Sequence, residues 1–218
     1  MKLFVGVPAY DRCVSVETAR SLLNEQGAAS LCGVEFMVSF APGSSLVTHA
    51  RDHIARDFLA SGADRLIYLD SDVAFDVGTM LRLARHEADF VGGCYRYKDD
   101  AEGYPILFLD RPELWADPAT GLIEVAALPG GFLSLSRAAI ERMVAALPGQ
   151  TYQFHGESFP ALFHCPRGGG EDGAFCNDWR ALGGSIWLDP TLTLTHVDAA
   201  GRKYTGCIGD WLKGRGDD

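Results

Sequence analysis

The stretch "RLIYLDSDVAF", residues 65–75, decides the fold. Its first five residues, 65–69, predict a short buried strand, which Asp70 and Asp72 follow at once with Ser71 between them. Two like charges this close repel each other and lose hydration on burial, so packing alone does not explain them. Closely spaced aspartates supply the oxygen ligands that Mg²⁺ or Mn²⁺ prefers. The alternative is an Asp-rich turn that only satisfies backbone amides.

The segments around this stretch predict alternating strands and helices. We expect strands at 2–8, 33–40, 65–69 and 89–95, and helices from 16 to a stop at Gly27, at 46–62 and at 77–88. This order is typical of the α/β class, with a parallel sheet and helices on both faces. Asp70 and Asp72 would then follow the carboxyl end of a central strand, the edge where such sheets bind ligands.

In the second half of the chain, strands and helices no longer alternate regularly. This half predicts strands at 104–109, 122–128 and 131–136, a helix with an apolar face over 140–147 and a partly irregular segment near the site at 149–170. A helix from 171 that Gly183 ends and final strands at 185–190 and 191–196 follow. We interpret 1–218 as one domain. Its two halves are about 1–95 and about 96–209, and 210–218 is a loose polar tail.

The composition excludes some classes of function. The chain has 218 residues, 47% hydrophobic and 22% charged, with a formal charge of -10, which disfavours a partner bound through a phosphate backbone. No apolar run reaches the roughly 18 residues of a membrane span, and "MKLFVGVPAY" does not resemble a signal peptide. We therefore expect a cytoplasmic protein. The six cysteines form no C-x-x-C pair, which favours a reduced, mostly buried set.

The ordered motifs resemble a known family. "PAYDR" (8–12), residues 50–75, "GGFLSLSRAAIERM" (130–143), "EDGAFCNDWRALGGSIWLDP" (171–190) and "LTH" (194–196) together resemble a GT-A fold glycosyltransferase over about residues 3–206. The resemblance implies a Rossmann-like mixed sheet flanked by helices, with the nucleotide-binding half at about 1–95 and the acceptor-side half at about 96–209. It also implies a metal-dependent hexosyltransferase that uses a nucleotide-sugar, UDP- or GDP-linked, with the D-x-D motif holding Mn²⁺ or Mg²⁺ against the donor diphosphate.

The resemblance also assigns roles at the reaction centre. Asp72 is the expected metal ligand, Asp70 contacts the metal or the ribose, and His196 completes the coordination. Without the family, a lone histidine at a strand end is more often an ordinary surface or core residue. Asp172 matches the carboxylate that takes the proton from the acceptor hydroxyl in inverting members, and Glu171 shares that role or orients the acceptor. Retaining members also carry acidic residues there, so the stereochemical outcome stays open.

Further residues are expected at the donor. The loop after the first strand would surround the base, with Tyr10 stacking and Asp11 accepting a base N–H. Arg51 would lie near the donor, Arg202 and Lys203 would clamp phosphate oxygens, and two glycines would let the ligand approach the backbone. The alternatives are structural: tight turns, a solvated helix face and an ordinary basic turn. The complete donor-binding set is Pro8, Ala9, Tyr10, Asp11, Arg51, Asp70, Ser71, Gly130, Gly131, Arg202 and Lys203.

The acceptor and the competing functions remain open at this stage. The acceptor would be a hydroxyl-bearing glycan or small molecule, and the acidic balance leaves nucleic acid as a lesser option. "NDW" (177–179) does not reproduce the Q-x-x-R-W of processive members, which favours single transfers. One rival is a haloacid-dehalogenase-like Mg²⁺-dependent phosphatase, whose D-x-D usually follows the first strand. Another is a non-catalytic nucleotide- or sugar-binding module.

Overall fold

The computed structural model describes residues 1–111, 113, 115–146, 151–154 and 156–214. The helices are α1 (Val16–Leu31), α2 (Val47–Ser61), α3 (Thr79–Arg85), α4 (Arg137–Ala146), α5 (Glu171–Ala181) and α6 (Ile208–Gly214). The strands are β1 (Lys2–Ala9), β2 (Glu35–Pro42), β3 (Arg65–Leu69), β4 (Val73–Phe75), β5 (Phe90–Gly92), β6 (Leu107–Phe108), β7 (Ile123–Ala127), β8 (Phe132–Ser136), β9 (Thr151–Phe154), β10 (Glu157–Pro160), β11 (Ile186–Leu188), β12 (Thr193–Val197) and β13 (Lys203–Cys207).

The main sheet is mixed rather than parallel. Its order is β2-β1-β3-β8-β5-β11-β7-β6, and β8 lies antiparallel between β3 and β5. The four strands that the β-α order predicted to be parallel, β1, β2, β3 and β5, do run in the same direction. The sheet is mixed because β8, from the second half of the chain, is inserted antiparallel between two of them. Strands buried on both faces are continuously apolar whichever way they run, so their pattern does not reveal their direction. The mixed α/β sheet that the family resemblance implied is confirmed.

Both faces of the sheet are covered. Along β3, Leu66 and Tyr68 pack into the core on the side of α2, α4 and α5, whereas Ile67 and Leu69 pack into the core on the side of α1 and α3. This alternation is the period-two geometry of a strand. Because β3 is buried along its full length, the first residues that can face a ligand are those directly after Leu69.

The strand that follows the D-x-D turn belongs to a second, three-stranded sheet, so the turn is held between the two sheets. After Leu69 the chain turns through 70–72 and enters β4, which pairs antiparallel with β12, and β12 pairs with β13. The register places His196 opposite Val73, and the Val197 amide donates to the Asp72 carbonyl at 2.8 Å. The late histidine therefore meets the D-x-D turn through strand pairing.

Several local expectations from the sequence are wrong. Helix α1 continues through Gly27 to Leu31, because the apolar face on both sides of this glycine packs against the sheet and outweighs its modest helix cost. The segment 149–170, expected to be partly irregular, has no helix or strand over 161–170 but also contains the β9–β10 hairpin, and α2 contacts β10. The tail is not loose over 210–214, where α6 packs Trp211 against Tyr104; residues 215–218 lie outside the described range.

The structure also bears on the expected burial of the cysteines and on membrane-spanning segments. The cysteines are not mostly buried: all six are free, and Cys13, Cys32 and Cys165 are exposed. Short side chains in loops need no packing, and spacing along the chain does not report exposure. Within the described ranges, none of the helices has the length and apolar character required to cross a membrane.

Candidate active site

A cleft of about 430 Å³ opens at the carboxyl end of β1 and β3. The β1–α1 loop, the β2–α2 loop, the D-x-D turn, the start of α5 and the end of β12 form its walls. The lining residues are Pro8, Tyr10, Ser44, Ser45, Val47, Ala50, Arg51, Asp70, Ser71, Asp72, Tyr95, Glu171, Asp172 and His196. The edge of the sheet predicted from the D-x-D motif is therefore the edge that carries the cleft.

Arg51 lies on the floor of this cleft and binds three carboxylates. Its side chain is 3% exposed; Nη2 contacts Asp70 Oδ1 at 3.2 Å, and Nη1 contacts Glu171 Oε1 at 3.1 Å and also Asp172 Oδ1. Burial alone would lower the pKa of Arg51, but the charges of Asp70 and Asp172 outweigh it and raise the pKa, so the guanidinium stays charged. The Tyr68 hydroxyl donates to the Arg51 carbonyl at 2.9 Å. Arg51 thus joins the D-x-D strand to helix α5.

The two glycines before β8 make this packing possible. Gly130 and Gly131 are both buried. A Cβ at Gly130 would overlap Arg51 and Asp172, and one at Gly131 would overlap Asp70 and come within 2.7 Å of the Tyr95 hydroxyl. The expected reason for the glycines was close approach of a ligand. In this structure the groups that approach them are the charged side chains of the site itself.

Both carboxylate oxygens of Asp70 are bound by protein groups. Besides the Arg51 contact on Oδ1, its Oδ2 accepts a hydrogen bond from the Tyr95 hydroxyl at 3.0 Å. Burial first, and then the charges of Asp70 and Asp172, raise the pKa of Tyr95 well above its usual value, so this hydroxyl stays protonated and donates. The expected three-residue ligand set of Asp70, Asp72 and His196 is therefore not assembled. Within the described residues, no three His, Cys, Asp or Glu side chains are grouped to hold a metal ion.

Asp72 and His196 face each other at the cleft. His196 Nε2 lies 3.5 Å from Asp72 Oδ1, and Lys98 Nζ lies 2.6 Å from Asp72 Oδ2. Burial would raise the pKa of Asp72, but hydrogen bonding to His196 and Lys98 outweighs burial and lowers it. Asp72 is consequently an ionised carboxylate at neutral pH.

The hydrogen bond on the other side of the His196 ring determines its orientation. His196 Nδ1 lies 2.9 Å from the Arg96 carbonyl oxygen, which can only accept, so Nδ1 carries a proton. Nε2 faces the Asp72 carboxylate: with a proton it donates the hydrogen bond that lowers the pKa of Asp72, and without one it presents a lone pair. Two acceptors in this arrangement repel unless a proton or a cation lies between them. A backbone carbonyl that orients the far nitrogen is also the usual support for a metal-ligating histidine.

The charges of the cleft favour a cation. Four carboxylates, of Asp70, Asp72, Glu171 and Asp172, face two cationic side chains, Arg51 and Lys98. A diphosphate entering this cleft would meet a net negative charge, whereas a divalent cation would balance it. Asp72 and His196 therefore fit Mn²⁺ or Mg²⁺ as ligands, with further positions left for phosphate oxygens or water.

The remaining residues expected at the donor divide into two groups. Pro8, Tyr10 and Ser71 line the cleft, and Tyr10 is 73% exposed. The Ala9 carbonyl accepts hydrogen bonds from the backbone amides of Arg12 and Gly43, and the Asp11 carboxylate accepts one from the Cys13 amide. These two residues therefore stabilise the loop after β1 and its contact with the β2–α2 loop.

The basic pair after His196 does not line the cleft. Arg202 contacts Asp100, and Lys203 contacts Glu17 at 2.9 Å. Both charges are thus engaged by surface carboxylates, and their clamp role stays a prediction.

Sequence reasoning missed several residues of the site. Tyr95 and Lys98 lie just after β5, and Ser44 and Ser45 lie between β2 and α2. The signal for Tyr95 was present, since it is the last residue of the strand expected at 89–95, which ends at the same sheet edge as Asp70. Lys98 had no such signal, because a lysine in a polar loop is ordinarily a solvated residue.

Comparisons with known proteins identify the fold. No protein-family model and no curated protein matches the chain. Among solved structures, the chain is similar to A197 from STIV, at 18% identity and a TM-score of 0.57 over 94% of each chain. It is also similar to GalNAc-T7, whose structure contains UDP, GalNAc and Mn²⁺, at 12% identity and a TM-score of 0.56 over 91% of this chain and 44% of that one. S. aureus TarS 1–349 matches at 15% identity and a TM-score of 0.50 over 88% of this chain and 59% of that one.

These similarities show the fold. At identities below 20%, they identify the mixed α/β architecture as the GT-A fold. This chain spans less than two thirds of the GalNAc-T7 and TarS chains that it matches. Fold alone does not determine chemistry, so the function has to be argued from the cleft.

Proposed function

We propose that the protein is a glycosyltransferase that moves a sugar from a UDP- or GDP-linked donor to a hydroxyl group. The observation that carries the proposal is the meeting of Asp72 and His196, from two different sheets, across the cleft from the α5 carboxylates. The GT-A fold supports it by placing this arrangement at the edge where such sheets bind ligands. GalNAc-T7, a structural neighbour, was crystallised with UDP, GalNAc and Mn²⁺.

Asp72 and His196 would hold Mn²⁺ or Mg²⁺ in this proposal. The Arg96 carbonyl keeps Nε2 of His196 directed at Asp72, and Lys98 lies on the other oxygen of that carboxylate. The chemistry that the bound ion supplies is charge neutralisation on the departing nucleoside diphosphate. Asp70 acts through Arg51 and Tyr95, or on the ribose, rather than as a metal ligand.

Asp172 is the general base in the proposed reaction. Arg51 holds its Oδ1, which leaves Oδ2 for the acceptor hydroxyl. The acceptor oxygen forms a bond to the anomeric carbon while the bond from that carbon to the diphosphate oxygen breaks. The electron pair leaves with the diphosphate, and the acceptor proton passes to Asp172. This direct displacement inverts the anomeric configuration, and Glu171, on the same guanidinium, positions the acceptor.

The phosphatase alternative has less support. Such an enzyme needs the first aspartate of D-x-D as a free nucleophile, but both oxygens of Asp70 are bound, one by Arg51 and the other by Tyr95. The motif also follows the third strand along the chain rather than the first. Turnover of p-nitrophenyl phosphate with Mg²⁺, in the absence of any nucleotide-sugar hydrolysis, would favour the phosphatase.

The Asp172→Asn variant tests the proposed base. Water can act as the acceptor, so the assay measures release of nucleoside diphosphate from a panel of UDP- and GDP-sugars with Mn²⁺. We expect a fall in kcat of about 10²–10⁴-fold with nucleotide affinity nearly unchanged, because the amide retains an oxygen for Arg51 but accepts no proton. Asp178→Asn is the matched control: it lies on the same helix, contacts His164, and is outside the cleft lining.

The outcomes separate the three candidate functions. Full turnover in Asp172→Asn would exclude Asp172 as the base. A wild-type protein that binds nucleotide but releases none from any donor would instead be a binding module. Absence of both binding and turnover with every donor would overturn the proposal.

A further inference from the structure

Lys98 forms an ion pair with Asp72, the carboxylate that is expected to bind the metal. Its Nζ is 2.6 Å from Asp72 Oδ2, and the side chains of Lys98 and Asp72 are 33% and 35% exposed. Within the part of the chain that the structure describes, the Lys98 ammonium forms its ion pair with Asp72 alone. Neither the D-x-D motif nor the proposed reaction assigns a role to this lysine.

Backbone and side-chain hydrogen bonds hold the turn around Lys98, whose side chain reaches Asp72 at the cleft wall. The Tyr97 amide donates to the Gly103 carbonyl at 2.9 Å, and the Arg96 guanidinium donates to the carbonyls of Asp99 and Asp100 at 3.4 and 3.3 Å. The Arg96 carbonyl accepts from His196. One short turn therefore orients the histidine and carries the lysine to the same carboxylate.

We propose that Lys98 is an internal counter-ion, which the divalent metal displaces from Asp72 and which then binds the donor diphosphate. This inference rests on the proposed function. A divalent ion has twice the charge of an ammonium and attracts Asp72 more strongly, and a partly exposed lysine loses little when it is rehydrated. Phosphate oxygens brought in beside Asp72 offer the released ammonium new acceptors.

The geometry favours displacement over permanent replacement of the metal. Lys98 contacts Oδ2 of Asp72, whereas His196 faces Oδ1, so the ammonium does not lie between the two acceptors. A lysine that replaced the metal would have to neutralise both. The competition predicts weak metal binding by the protein alone and much tighter binding with nucleotide, because the diphosphate removes the competitor from Asp72.

The variant Lys98→Met tests the competition by opposite effects on two ligands. Mn²⁺ binding is followed by electron paramagnetic resonance of the free ion, with no turnover needed. Without nucleotide, we expect Lys98→Met to bind Mn²⁺ about three- to tenfold more tightly than wild type, and Lys98→Arg to bind it more weakly. With saturating Mn²⁺, Lys98→Met should bind the preferred diphosphate, UDP or GDP, about three- to tenfold more weakly.

Lys2→Met is the charge-matched control. Lys2 also pairs with a carboxylate, Glu35 at 3.2 Å, but at the other end of β1. It should change neither affinity by more than about twofold, because charges that far apart are screened. If Lys2→Met and Lys98→Met shift Mn²⁺ affinity equally, the effect is one of net charge and the inference is overturned.

A direct readout follows the ammonium itself. The lysines of the chain are Lys2, Lys98, Lys203 and Lys213. After ¹³C reductive methylation, the Lys98 resonance should move when Mg²⁺ is added to the wild-type protein, while those of Lys2 and Lys203 stay in place. A Lys98 resonance that does not move while Mg²⁺ saturates Asp72 overturns the displacement.

Asp72→Asn distinguishes failure of this inference from failure of the proposed function. If it abolishes Mn²⁺ binding while Lys98→Met binds like wild type, the metal site stands and the role of Lys98 is wrong. If wild type binds no Mn²⁺ even with UDP or GDP, the metal step of the proposed function fails, and the inference fails with it.

Discussion

At the scale of single residues, burial changes the pKa of ionisable side chains, and Asp52, next to Arg51 in the chain, is an example. It is 1% exposed and accepts hydrogen bonds from the Leu162 and Phe163 amides at 3.0 and 3.1 Å. Burial raises the pKa of Asp52 to about 8, although the two amide hydrogen bonds oppose the shift. Asp52 thereby connects α2 to the loop that leads to α5.

The Asp52→Asn variant should change how stability depends on pH. The folded pKa lies above the unfolded value, so the folded state binds the extra proton and wild type loses stability as pH rises from about 4 to 8. The asparagine side chain carries no charge and keeps an oxygen for both amides. The unfolding free energy of Asp52→Asn relative to wild type should therefore rise with pH, by at most about 1.4 kcal/mol per pH unit. Urea unfolding at pH 5, 7 and 9 measures this difference, and a constant difference contradicts the raised pKa.

At the scale of elements, the site depends on how closely β8 approaches β3. The Asp70 amide donates to the Gly131 carbonyl at 3.0 Å, and the side chains of Asp70 and Tyr95 fill the space in which a Cβ of residue 131 would lie. A strand entering here with a larger residue would push the D-x-D turn outward. The glycine pair therefore helps to shape the candidate active site, although neither glycine lines the cleft.

Gly131→Ala should destabilise the fold and impair the site together. We expect a loss of about 1–3 kcal/mol in unfolding free energy, as for overpacking in a well-packed interior, and weaker Mn²⁺ binding because the D-x-D turn shifts. Gly27→Ala is the control. Gly27 lies inside α1 with open space around its Cβ position, so alanine there should stabilise by about 0.5–1 kcal/mol. Equal behaviour of the two variants in thermal unfolding would refute the packing argument.

At the scale of the whole molecule, the cleft joins two sheets and α5 around a net negative charge. Arg51 holds α5 against β3, while the β4–β12 pairing brings His196 to the D-x-D turn. Ligands that bridge these elements stabilise the folded chain by mass action. A divalent cation should be required, since the diphosphate alone is repelled by the carboxylates.

Thermal unfolding with nucleotides therefore provides a test on the entire chain. At 100 times its Kd, UDP or GDP with Mn²⁺ should stabilise by about 2.7 kcal/mol, which raises Tm by roughly 5–10 °C for a chain of this size. EDTA should remove the shift, and the nucleotide with the larger shift identifies the donor base. A shift that survives EDTA would contradict metal-dependent binding.

Much of the fold could be predicted because local patterns report burial and periodicity. The strand at 65–69 and its position before the D-x-D turn are found as expected, and so are the helices around it, with errors at Gly27 and in the tail. The antiparallel direction of β8 was not predictable, since β3, β5 and β8 are all buried and mostly apolar whichever way they run. For the site, the motifs named Asp72, Asp172 and His196, but not what holds them.

The sequence by itself determined that an acidic turn follows a buried strand and that two further carboxylates begin a helix. These features are local, because they follow from residue type and spacing within one element. Only the tertiary structure decided that Arg51 binds Asp172, 121 residues away, and that Lys98 rests on Asp72, 26 residues away. Such contacts depend on how strands pair and helices pack over the whole chain, and no pattern within a single element encodes that arrangement.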